Sequence, residues 1–200
     1  ALNRKLITGG LSKPSKMPGY AYNLPATECN VGAKLVQVPG SVCHGCYALK
    51  GRYRFPNVKE AMHRRLKSID GPLWVETMAA DINARKSKYF RWHDSGDIQS
   101  LAHLKKIFDV CKLTPDVAHW IPTRESGILS KLGPEEVPAN LTIRLSATMV
   151  DGNAPKNSWH LTSTVVTEGA SCPAPKQGNE CKSCRNCWDQ SIKNIAYGKH

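Results

Sequence analysis

No stretch of this sequence is apolar enough to span a membrane: nothing approaches the roughly 18 consecutive residues a spanning helix requires. The opening "ALNRKLITGGLSKPSK" has no apolar core of the kind a secretory signal carries. Low-complexity tracts and repeats of solenoid period are missing too. Cysteine is absent from the whole of 47–110, unlike a secreted disulfide framework, whose bridges crowd a short, loop-rich chain. These absences leave a cytosolic globular protein as the expectation. Acids are scarce as well, 16 against 28 Lys and Arg, for a net charge of +12.

With 200 residues, 40% of them hydrophobic, the chain fits one ordinary domain with a real core. Much of the positive excess is local. Lys50, Arg52, Arg54, Lys59, Arg64, Arg65 and Lys67 stand against Glu60 alone. Such a patch suits a nucleic acid or a phosphorylated ligand, and Tyr53 and Phe55 within it could stack on bases. A solvated helix face is the plainer alternative.

The chain alternates strands and helices after an irregular start. Strands are expected at "YAYNL" (20–24), "YFRWH" (89–93), "VAHWIP" (117–122), "LTIRLS" (141–146) and "WHLTSTVV" (159–166). Pro56 opens a helix to about Ile69, and Pro72 another to about Ser87. In "SLAHLKKIFDVCKL", Leu101, Leu104, Ile107, Phe108 and Cys111 fall at helical spacing, which makes Cys111 a buried structural thiol. "ESGILSKLG" reads as a short helix stopped by Gly133. This cadence implies an α/β fold with a parallel sheet: a small, partial (β/α) barrel-like scaffold whose last helices are abbreviated. Its divisions are a domain over 1–167, with an irregular Cys-bearing N-terminal loop, and a Cys-rich metal-binding tail over 168–200 packed on it.

Polar clusters follow the strands: "HDSGD" (93–97), "TRES" (123–126), "SATM" (146–149) and "TE" (167–168). Ligands sit at the carboxyl ends of parallel strands, so these clusters predict an active mouth. Asp94, Asp97, Arg124 and Glu125 are the candidate catalytic groups, the acids for proton transfer or cofactor binding and Arg124 for anions.

Seven cysteines remain once Cys111 is set aside. Cys172, Cys181, Cys184 and Cys187 are spaced C-x8-C-x2-C-x2-C. Zinc sites separate two C-x2-C pairs by a longer loop, whereas a continuous C-x2-C-x2-C delivers each thiolate to its own iron. A [4Fe-4S] cluster is therefore favoured, with zinc as the alternative. Cys29, Cys43 and Cys46 form a looser group. Three thiolates hold a [4Fe-4S] cluster and leave one iron open. A closed site that merely pins the loop is the alternative, with His44 completing a zinc site or His93 serving as fourth ligand. One or two clusters are expected in all.

"CHGCYALKGRY" (43–53), "FRWHDSGD" (90–97), "IRLSATM" (143–149) and "CKSCRNCW" (181–188) resemble a phage-encoded family of unassigned activity, the gene-eighty-eight proteins. That resemblance implies the host cell cytoplasm. More distantly, three Cys ahead of barrel strands and an auxiliary Cys-rich C-terminus resemble the radical S-adenosylmethionine enzymes. This second resemblance implies S-adenosylmethionine as cofactor, with Ser95, Gly96 and Asp97 as the turn that holds its amino group, and an electron donor as partner. Two readings follow: an iron–sulfur protein with redox or radical chemistry at the open cluster, or a non-enzymatic nucleic-acid-binding protein with structural metals.

Overall fold

The computed structural model describes residues 3–156 and 159–199. Six strands form one sheet: β1 (Tyr20–Tyr22), β2 (Tyr89–Trp92), β3 (Ala118–Thr123), β4 (Leu141–Val150), β5 (Leu161–Val166) and β6 (Asn194–Gly198). Every neighbouring pair is parallel and the strands lie in chain order, so each connection moves on by one strand. Among the described residues β1 and β6 do not pair with each other, and the sheet is open.

The helices are α1 (Arg4–Thr8), α2 (Asn30–Leu35), α3 (Pro56–Ser68), α4 (Trp74–Ala84), α5 (Leu101–Lys112) and α6 (Ser126–Leu129). Pro56 occupies the first turn of α3, where its missing N–H costs no hydrogen bond. Ser100 caps α5 by accepting from the His103 N–H at 3.0 Å. Gly133 does not stop α6, which ends at Leu129; Gly133 instead precedes a 3-10 turn over Pro134–Glu136. As expected, the late connections are short of helix.

Alternation along each strand divides the sheet into two faces. One face puts Phe90, Trp92, Ile121, Leu141, Ile143 and Leu145 into the core with Trp74, Met78, Leu104 and Ile107 of α4 and α5. Cys111 belongs to this core and is fully buried. At its centre the Tyr22 hydroxyl lies 2.6 Å from the Thr8 carbonyl and 2.9 Å from that of Arg65, and accepts from the Trp74 indole.

The strand registers place Tyr89, Arg91, Trp120, Thr142, Arg144, Ser146, Ser163, Ile195 and Tyr197 on the opposite face. Parallel sheets are normally covered by apolar helices on both sides. Here the second face is half polar, and the segment leading into β6 covers it. Trp188 packs edge-on against Trp120 and Tyr89, each at 5.3 Å, and donates to the Phe90 carbonyl at 2.9 Å. All five N–H donors of the buried Arg144 find carbonyls in or beside that segment: Cys187, Asn186, Asp189, Ile192 and Thr162.

Candidate functional site

The carboxyl ends of β1 to β4 are tied together by polar side chains and roofed by the loop that carries the first cysteines. Asp97 follows β2, and its carboxylate accepts from Ile98 N, from Thr123 Oγ1 at 2.6 Å and from Arg124 N at 2.9 Å. It thus ties the end of β2 to that of β3. Burial raises its pKa to about 6 against the three hydrogen bonds that favour the anion. Glu125 accepts from Val31 N at 3.0 Å and fixes the first turn of α2. Arg124 donates to the Ala147 carbonyl at the far end of the row. Ser95 donates to the Leu24 carbonyl, and Gly96 is irreplaceable there: its φ is +77° and a Cβ would lie 2.5 Å from that of Leu24.

Cys29 precedes α2, and the loop after that helix reaches β4, with Val42 N on the Thr148 carbonyl and Val150 N on that of Gly40. This crossing brings Cys43 and Cys46 back to Cys29. A Cβ placed on Gly32 would lie 2.9 Å from that of Cys29 and 3.6 Å from the sulfurs of both Cys29 and Cys43, so only glycine allows this close approach of α2 to the thiols. Burial pushes the Cys29 thiol pKa up strongly, and the charges of Asp97, Cys43, Cys46 and Glu125 push it further. Burial raises Cys43 too, with Arg124 opposing. The sequence-predicted triplet, Asp97, Arg124 and Glu125 are therefore one gathering at the mouth.

Asp94 belongs to the same mouth. Its Oδ2 accepts from Tyr53 at 3.0 Å and Asn23 at 3.4 Å, its carbonyl accepts from the Tyr47 hydroxyl, and its buried Oδ1 has no hydrogen-bond partner. His44 and His93 are not part of the gathering. His44 sets its Nδ1 2.9 Å from the Val36 carbonyl, and His93 packs its buried ring against Trp92 and His103.

The second thiol group lies against the polar face. Burial raises the Cys181 thiol pKa, the neighbouring Cys172 and Cys184 raise it further, and Arg91 and Arg185 oppose the rise. Cys187 is 3.2 Å from the Tyr197 hydroxyl, and burial, the first cause, lifts it to about 11. Backbone bonds fix the approach: Cys172 N to Ala196 O, Cys181 N to Lys16 O, and Cys184 N to Cys181 O. All eight cysteines are free thiols. As these side chains stand, no three His, Cys, Asp or Glu among the described residues form a group set to hold a single metal ion.

Arg91 lies between the two groups. It stacks over Trp120 at 4.6 Å and reaches the Met17 sulfur and the Tyr47 hydroxyl, while its buried Nε has no partner. Neither Arg91 nor Arg144 has a carboxylate within ion-pair distance among the described residues. Motif reading passed over both. Their signal was an Arg inside "YFRWH" and "LTIRLS", strands otherwise fit to be buried.

Two parts of the basic stretch change role. Arg65 turns inward, donating from Nε to the Gly10 carbonyl at 2.6 Å and from Nη1 to the Asn23 side-chain oxygen. Tyr53 gives its hydroxyl to Asp94, so the aromatics presented to solvent are Tyr47 and Phe55.

Fold and sites together define an α/β protein with one open parallel sheet, a thiol triplet at the carboxyl ends of its strands and a thiol quartet against its polar face. Residues 1–190 match the family described as gene product 88, and the chain belongs to that family. No curated protein matches it, and no solved structure does. No helix among the described residues is long and apolar enough to cross a membrane.

Proposed function

We propose that this is an iron–sulfur protein of the phage family on a partial barrel-like sheet, its quartet holding a structural [4Fe-4S] cluster and its triplet a second one with an open iron. One observation carries the reading: the guanidiniums of half-buried Arg91 and buried Arg144 lie beside the quartet, and among the described residues neither has a carboxylate within ion-pair distance, Asp94 and Asp189 acting on them only from farther off. An unpaired buried charge costs several kcal/mol. A cluster held by four thiolates is an anion, and it would balance these cations where neutral thiols do not. At the triplet, Gly32 lets the first turn of α2 approach the Cys29 and Cys43 sulfurs closely, which suits three thiolates converging on one bound group.

The bound cluster at the mouth would supply electron transfer or a coordination position for substrate. The chain's own groups then act around it. Asp94 offers an acceptor at its free Oδ1, and Arg124 offers positive charge beside Cys43. Asp97 and Glu125 hold the strand ends and α2 in register. At the turn that the distant resemblance assigns to S-adenosylmethionine, the Asp97 carboxylate accepts three donors and Ser95 donates to the Leu24 carbonyl, so these side chains are engaged in holding the strand ends. We derive no step through that cofactor.

The test is iron, acid-labile sulfide and zinc content, with an absorption spectrum, on protein purified without oxygen. About eight iron and eight sulfide per chain, with broad absorbance near roughly 400 nm, is the expected result. Zinc without sulfide would overturn the reading.

A further inference from the structure

We infer that the surface over residues 50–67 is a track for single-stranded nucleic acid leading to the triplet. The inference rests on the reading of that mouth as a reaction site, and it names the class of molecule that reaches it.

The track begins at the thiols. Cys46 is followed directly by Tyr47, whose hydroxyl points inward to Asp94 while 49% of the residue stays exposed. Next come Lys50, Arg52 and Arg54, all exposed, and Phe55, 55% exposed. Along α3, exposed Lys59, His63 and Lys67 recur every fourth residue and so share one ridge, about 6 Å apart per step. The ridge borders a cleft of about 440 Å³ lined by Leu6, Glu60, His63, Arg64, Lys67 and Ser68.

Three observations select the partner. First, the charge is unopposed: among the described residues none of Lys50, Arg52, Arg54, Lys59, Arg64 or Lys67 forms an ion pair, whereas Arg4, Arg85, Lys105 and Lys112 elsewhere do. Glu60 is the only acid in the stretch. Second, two exposed aromatics flank the arginines, and aromatic faces stack on unpaired bases, which a duplex keeps covered. Third, the cations are spread along the chain from Cys46 outward, the last of them on one ridge of α3, a distribution that suits the successive phosphates of a polyanion. Arg65, turned inward, adds nothing to the track.

The experiment is fluorescence anisotropy of a labelled 20-nucleotide single strand over a salt series, on full-length protein whose iron and sulfide are measured in the same samples. Six contacts predict a slope of log K against log salt of about −4 at most, a loss of roughly two orders of magnitude between about 50 and 200 mM salt. The triple variant R52A/R54A/K59A should flatten that slope by about 2 units. F55A should weaken binding roughly tenfold and leave the slope alone. Wild-type affinity in the triple variant would overturn the proposal. So would equal competition by the same sequence as a duplex, or by polyglutamate of matched charge. Iron-loaded protein that ignores the strand defeats the track alone, and strand binding by protein without iron defeats the cluster reading alone.

Discussion

At the scale of single residues, burial fixes the protonation state of several histidines. His119 accepts from the Trp92 indole N–H at Nδ1, 3.2 Å away, so its proton sits on Nε2, 2.8 Å from Thr114 Oγ1. Protonating Nδ1 would set two N–H groups against each other, and burial holds the pKa down to about 3. Burial does the same to His93, also about 3, and drives His103 well below its ordinary value. All three must take up a proton on unfolding below pH 6.5, so their stabilisation is complete above that pH and is lost as pH falls toward 3. Each contributes a slope of up to about 1.4 kcal/mol per pH unit. Asp97, raised to about 6, works the other way between pH 6 and its ordinary 3.8, one group against these three and His160, which burial lowers to about 4. Urea midpoints from pH 7 to 4.5 should therefore fall, and a flat profile would show that these histidines are charged in the native state. Arg144 makes a second residue-scale case. Replacing it by Met strands five carbonyls in the interior, and urea unfolding should show a loss of about 3–5 kcal/mol.

At the scale of elements, the helix–strand alternation was legible because periodicity and proline placement report local conformation. Strand α/β order, the ends of α3 and α5 and the buried Cys111 all followed from it. β6 did not: "NIAYG" is short, half polar, and follows a cysteine-rich stretch that reads as loop. Its pairing comes from β5 and from what the tail covers, which are tertiary causes. The polar face escaped for the same reason, since Arg91 and Arg144 make sense only with the tail in place. The mouth was half legible: its residues could be named from strand ends, but the bonds that make Asp97 a tie between strands could not. α2 offers the element-scale test. Gly32→Ala would improve helix propensity by about 1 kcal/mol, yet its Cβ would stand 2.9 Å from that of Cys29 and push that cysteine out of place. Iron should drop by about half, to roughly four per chain, with the fold retained by circular dichroism. Unchanged iron would remove the triplet as a cluster site.

At the scale of the whole molecule, the two thiol groups differ in what depends on them. The triplet lies on a loop over strand ends that are already tied by Asp97 and Ser95, so the sheet is expected to stand without it. The quartet anchors the cover of an entire sheet face, including Trp188 and the connection into β6. A ligand that binds only the folded state adds its binding energy to stability, and a cluster of the kind proposed would place that energy at the quartet. Substituting serine for Cys181 and Cys184 should therefore lower the melting temperature by about 10 °C or more and expose Trp120 and Trp188, seen as a red shift in tryptophan emission. The same change at Cys43 and Cys46 should remove iron while moving the melting temperature only slightly. Equal losses from the two pairs would mean that the mouth loop, too, holds the sheet together, and the division into a structural and a reactive site would fall. A large loss at the quartet alone would instead tie the polar face, its unpaired arginines and the tail cysteines into one folding unit, leaving the triplet free to serve chemistry.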